Sequence, residues 1–107
     1  MVKFMIMFLK PADREAFETA YNDLLALIER MPDVVRRQVV HVNGGPTGYP
    51  MYDRILEIYF EDMPALIGSL KSRAGQEAGG ELAKRFPARS YETLFAEVYE
   101  EAGGKTE

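Results

Sequence analysis

The chain has 107 residues, 47% of them hydrophobic and 28% charged, with a formal net charge of −4 from 17 acidic and 13 basic side chains. That size and mix describe one globular domain able to bury roughly two-thirds of its unfolded surface, and an acidic balance with no basic cluster excludes a nucleic-acid footprint. The chain contains no cysteine, which excludes disulfides, thiolate metal sites and thiol nucleophiles and fits the cytoplasm.

Val2 to Leu9 (VKFMIMFL) reads as the first strand. Val2, Phe4, Ile6 and Phe8 share one parity and Met5, Met7 and Leu9 the other, so both faces are apolar and both need cover. Lys3 interrupts the run and Lys10-Pro11 ends it. The stretch is too short to cross a bilayer and has no small-residue cleavage site, so neither membrane nor secretory segment is expected. Asp13 is placed to cap the first helix, with Glu15 near its positive end. Phe17, Ala20, Tyr21, Leu24, Ile28 and Met31 form its apolar stripe, and Pro32 closes it. Val34 to Asn43 (VVRRQVVHVN) predicts the second strand. Its β-branched content, broken by Arg36, Arg37 and Gln38, suits a sheet edge.

Gly44 to Pro50 (GGPTGYP) is a loop by composition, so the second and third strands form a hairpin. The loop is too long for a turn type to set the register. A slip of one residue decides whether His41 or Gln38 shares a face with Glu57. In the third strand, Tyr52 to Phe60, Leu56, Ile58 and Phe60 alternate with Ile55, Glu57 and Tyr59. Asp62 then supplies an N-cap oxygen, Pro64 sits in the first turn, and Met63, Leu66, Ile67 and Leu70 recur at helical spacing. Gly75, Gly79 and Gly80 predict that this helix weakens near Gly75, leaving a shorter piece that carries Leu82 and Phe86. Tyr91 to Tyr99 is the last strand. The domain is expected over residues 1–101, with a disordered tail over 102–107.

The order β-α-β-β-α-β is the ferredoxin-like α+β arrangement, with two helices on one face of a four-stranded antiparallel sheet. The other face keeps apolar side chains from the first, third and fourth strands. A homodimer, sheet against sheet about a twofold axis, would cover them and form an α/β barrel shared by two chains.

His41 is the only histidine, hence the only side chain whose ordinary pKa suits proton shuttling near neutral pH. The competing reading is a hydrogen-bonded histidine on an edge strand. Glu57 sits inside an apolar strand, where burial would raise its pKa and fit it for general-base work. The competing reading is a salt bridge to Arg36, Arg37 or Arg54, and Glu97 poses the same question on the last strand. Tyr59, Tyr91 and Tyr99 are candidate pocket aromatics, and Tyr49 a candidate lid, against a packing role for each. One histidine with dispersed carboxylates assembles no metal set, and no cofactor is expected.

The segments VRRQVVHV, YDRILEIYFEDMPALIGSLKS and GQEAGGELAKRF, with the closing strand through Glu97-Val98, resemble the EthD family of the dimeric α/β-barrel superfamily. The resemblance runs from about Val2 to Glu100. Its most specific piece holds Tyr52-Asp53, Glu57 to Phe60 and Ser72; the proline that commonly follows that serine is Arg73 here. The resemblance implies a homodimer that takes a small apolar or aromatic organic molecule and performs a cofactor-free oxidation or a proton transfer. His41 would then act as acid or base, Glu57 assist it, and Tyr59, Tyr49 and Tyr99 line the ligand. The alternative it implies is a non-catalytic binding protein or an accessory to an oxygenase system. Relatives of this fold run several chemistries, so the fold does not choose among them.

Overall fold

Two periodicities build the molecule. A computed structural model describes residues 1–103, so most of the expected tail, residues 104–107, lies outside the described residues. The elements are β1 (Val2–Leu9), α1 (Arg14–Ile28), β2 (Arg36–His41), β3 (Tyr52–Phe60), α2 (Met63–Lys71), α3 (Arg73–Arg85) and β4 (Tyr91–Glu97). The strands form one antiparallel sheet in the order β2-β3-β1-β4, which puts β1, apolar on both faces, and β3 at the centre and the arginine-bearing β2 at an edge. This is the expected ferredoxin-like βαββαβ fold.

The even-numbered residues of β1, and those of β3 from Arg54 onward, face the helices. Val2, Ile6, Phe8, Leu56, Ile58 and Phe60 join Phe17, Ala20, Tyr21, Leu24 and Ile28 of α1 in one buried core, closed by Met31, Leu66, Ala78, Leu82 and Phe86. Phe8 is fully buried and meets Phe17, Tyr21 and Phe86 at centroid separations of 5.4, 5.6 and 5.2 Å. Burial of such a ring stabilises by about 2–3 kcal/mol, and each tilted or edge-on aromatic pair adds about 1 kcal/mol. Both expected N-caps form: Asp13 accepts from Ala16 N at 3.1 Å and Asp62 from Ala65 N at 2.9 Å.

The second helical region breaks at Ser72, not near Gly75, and α3 then runs unbroken through all its glycines, so the helix layer has three members. Ser72 is extended (φ −64°, ψ 164°) and serves both helices. Its hydroxyl donates to the Ser69 carbonyl at 2.6 Å and accepts from Gly75 N at 3.1 Å. Gly75 marks a close approach instead of a break: a Cβ there would lie 2.1 Å from the Ser69 carbonyl oxygen. Phe86 falls just past α3, at its C-cap.

A β-bulge shapes the end of the sheet nearest the start of α1. Phe8 pairs with Arg54 but Leu9 pairs with Tyr52, so Asp53 has no partner on β1. Successive strand residues normally point to opposite faces; the bulge breaks that alternation and lets Asp53 and Arg54 both reach α1.

Candidate functional site

Three polar or open features bear on function, and of the expected site residues only Glu57 and Tyr59 fall within one of them. The first is on the sheet face away from the helices. Gln38 lies opposite Glu57, while His41 lies opposite Arg54. Residues opposite one another share a face, so His41 is on the helix side, exposed at the end of an edge strand, and Glu57 is on the other side. The expected union of His41 with Glu57 is not formed.

Glu57 is 9% exposed, and its Oε1 accepts from Lys3 Nζ at 2.7 Å and from Tyr59 OH at 3.0 Å. Its ionic partner is thus Lys3 on β1, not an arginine of the hairpin. Arg36 stacks its guanidinium 3.9 Å over the Tyr59 ring and donates to Gln38 Oε1 at 3.0 Å. Burial pushes the Glu57 carboxyl up, but the hydrogen bonds from Lys3 and Tyr59, with the charges of Lys3 and Arg36, outweigh it and hold the group below its ordinary value. Glu57 is therefore a fixed anion, where the sequence suggested a base of raised pKa. Met5, Met7, Ile55, Val40 and Leu94 surround it on the same face.

The second feature ties α1 to the bulge. Arg14 holds Asp53 through two hydrogen bonds of 2.8 and 2.9 Å, and Arg54 holds Glu18 through two of 2.7 Å. The hydrogen bonds from Arg14 hold the Asp53 carboxyl below its ordinary value, and those from Arg54 do the same for Glu18. Arg54 also lies 4.7 Å over Tyr21 and 5.2 Å over Phe17. Paired forks of this kind fix orientation as well as charge.

The third feature is a cavity of about 440 Å³ at the end of the helix layer, between the turn from β1 to α1 and the turn from α3 to β4. Leu9, Pro11, Ala16, Phe17, Phe86 and Pro87 give it an apolar floor. Leu9 N donates to the Ser90 carbonyl at 2.9 Å, so the two turns are joined. None of His41, Glu57, Tyr59, Tyr49 or Tyr99 lines it. Tyr49 meets only its rim: its hydroxyl donates to the Val42 carbonyl at 3.0 Å, and the ammonium of Lys10, at the cavity rim, lies 5.0 Å above its ring. Tyr99 is 79% exposed beyond β4 and donates to Glu97 at 3.0 Å. Tyr91 packs on Phe8 and Phe86 at 6.4 Å. A smaller void of about 60 Å³, lined by Ile6, Leu24, Ile28, Ile58 and Ala78 among others, lies inside the core.

Lys3 was legible in principle, because a cation inside an apolar strand must find a partner. The cavity was less so, since its walls come from two connecting turns far apart in sequence.

These observations define a ferredoxin-like α+β protein with a free sheet face and an apolar cavity at one end of the helix layer. Within that class it is similar to an EthD family protein from Bacillus halodurans: 24% identical, TM-score 0.87, over 92% of this chain and 99% of that one. A dimeric protein of unknown function and ferredoxin-like fold from Bacteroides fragilis matches with TM-score 0.64 at 18% identity, over 91% of this chain and 95% of its own. SnoaB, a cofactor-independent oxygenase from Streptomyces nogalater, matches with TM-score 0.67 at 16% identity, over 96% and 97%. At these identities the likeness is one of fold. No family model and no curated protein matches the chain. Among the described residues no helix is long and apolar enough to cross a membrane.

Proposed function

We propose that the chain is a homodimer, an α/β barrel joined through its open sheet faces, that binds a small apolar or aromatic organic molecule in the cavity between the β1–α1 and α3–β4 turns. The observation that carries this reading is the cavity itself: about 440 Å³ over an apolar floor, within the range that small-molecule sites occupy. The dimer is supported by the apolar side chains around Glu57, including the 38% exposed Leu94, and by the fold likeness to a protein described as dimeric. A binding or accessory role is favoured over acid–base chemistry because His41 and Glu57 lie on opposite faces and Glu57 is held as an anion. The second reading, a cofactor-free oxidation of the bound molecule, draws on the likeness to SnoaB.

Native mass spectrometry with Ala16→Trp tests the proposal. Ala16 is an exposed residue of α1 on the cavity floor, so tryptophan there fills the space without entering the core. The expected result is a dimer that retains an organic molecule, or takes up a fluorescent aromatic probe, and an Ala16→Trp dimer that does neither. A monomer would remove the shared barrel. Equal uptake by the variant would remove the cavity. Gain of an oxygen atom by the bound molecule under air would select the oxygenase reading.

A further inference from the structure

The cavity has an apolar floor but a charged rim. Lys10, Arg85 and Arg89 stand there against a single acid, Asp13, on a chain whose net charge is −4. These groups are not equivalent. Asp13 spends an oxygen capping α1, accepting from Ala16 N at 3.1 Å. Arg85 is engaged by Asp23 at 3.1 Å and Glu81 at 2.6 Å. Lys10 and Arg89 make no ion pair among the described residues.

Arg89 is unusual in its backbone as well. It is the third residue of the Pro87–Ser90 turn, which is closed by Ser90 N donating to the Pro87 carbonyl at 3.1 Å, and its φ is +67°. That turn position favours glycine, because a Cβ is strained in the left-handed region. An observed strain of this kind is a reason to look for a function. Here it holds an exposed, unpaired guanidinium at the mouth of an apolar cavity. The hydrogen bond from Leu9 N to the Ser90 carbonyl, 2.9 Å, sets the Lys10 turn beside the Arg89 turn. A guanidinium offers parallel N–H donors that match a carboxylate, and an ammonium adds a point charge.

We propose that this cavity selects a small monocarboxylate with an aromatic or short aliphatic body, the body on the Phe17–Phe86 floor and the carboxylate held at the rim by Arg89 and Lys10. The inference rests on the binding reading above and narrows its ligand class. Pairs of acid and primary amide test it, because they share shape and differ in charge: benzoate with benzamide, phenylacetate with phenylacetamide, hexanoate with hexanamide. Each is titrated into the whole chain by NMR or calorimetry.

At least one acid is expected to bind about tenfold or more tightly than its amide, as a charge-assisted contact implies. Arg89→Gly should cut that acid's affinity by about tenfold and raise Tm, since glycine accepts the positive φ without strain. Arg89→Gln should lose the preference without raising Tm. Equal affinity for acid and amide, or a preference that survives in Arg89→Gly, overturns the carboxylate assignment and leaves the cavity reading standing. Failure of every acid and every amide to bind overturns both.

Discussion

Gly75→Ala should unfold the helix corner that most such substitutions would strengthen. In an ordinary helix interior, glycine to alanine stabilises by about 1 kcal/mol. Here the new Cβ would lie 2.1 Å from the Ser69 carbonyl oxygen and 2.6 Å from that of Leu70, well inside the 3.0 Å that Cβ contacts respect. Both are backbone atoms. Ser72 pins the first of them, donating to the Ser69 carbonyl at 2.6 Å while accepting from Gly75 N at 3.1 Å. Relief requires α2 and α3 to part, which enlarges the core void beside Ala78 and Leu24. Overpacking typically costs 1–3 kcal/mol, and a clash with two backbone carbonyls at such distances belongs at the upper end or beyond. Net of the propensity gain, the loss is about 2–3 kcal/mol, or roughly 10–20 °C in Tm for a domain of this size. Gly79 and Gly80 are internal controls, because an added Cβ meets nothing within 4 Å at either; alanine there should stabilise by about 0.5–1 kcal/mol each. Thermal and urea unfolding followed by far-UV circular dichroism reads all three variants. Gly75→Ala melting within about 2 °C of the parent, or Gly79→Ala and Gly80→Ala falling as far as it does, would refute the close-approach argument.

Acid should destabilise the fold through identified groups. Asp53, Glu18 and Glu57 are all held below their ordinary values of 3.8, 4.5 and 4.5, so their contributions are complete above those values and are lost as pH falls through the lower folded ones. The urea midpoint should drop as pH falls below about 4.5, and a flat profile there would contradict the ion-pair assignments. On the alkaline side, Lys3 is raised above 10.5, first by its hydrogen bond to Glu57, so its contribution is present below that value and disappears as pH rises through the raised one. The Lys3–Glu57 pair itself should be non-additive. Its side chains are 20% and 12% exposed, so Lys3→Met alone strands a mostly buried carboxylate and should cost about 2 kcal/mol, whereas Lys3→Met with Glu57→Leu should come within about 1 kcal/mol of the parent. Urea melts of the four proteins form the cycle, and a double variant as unstable as the two singles combined would show that the pair is not coupled.

Where local chemistry sets structure, the sequence was a sufficient guide. Asp13 and Asp62 cap helices because short acidic side chains reach free N–H groups, and the α1 stripe from Phe17 to Ile28 packs because its period is helical. The hairpin register was not local. The long loop between β2 and β3 leaves it free, and a distant contact supports the register observed: Arg37 donates to the Leu25 carbonyl of α1 at 2.9 Å, which holds its side chain on the helix side and leaves Gln38 facing Glu57. The same applies to Gly75, whose reason is the path of α2 and not the propensity of α3. The cavity needs two turns to meet and an arginine to adopt φ +67°, and neither can be read from a one-dimensional pattern.

In the proposed dimer the open sheet face and the cavity at the end of the helix layer would carry separate tasks. The open face is mostly apolar, yet at its middle an ionised Glu57 is paired with Lys3 and Tyr59. Desolvating such a pair is costly, and an apolar replacement is often as stable or more so. The cavity at the end of the helix layer draws none of its lining from β2, from β3 or from the odd-numbered face of β1 short of Leu9. Association through the sheets should thus leave it open in both protomers. The expected stoichiometry is one ligand per chain with independent sites, and a titration saturating at one ligand per dimer would place the binding site between the sheets instead.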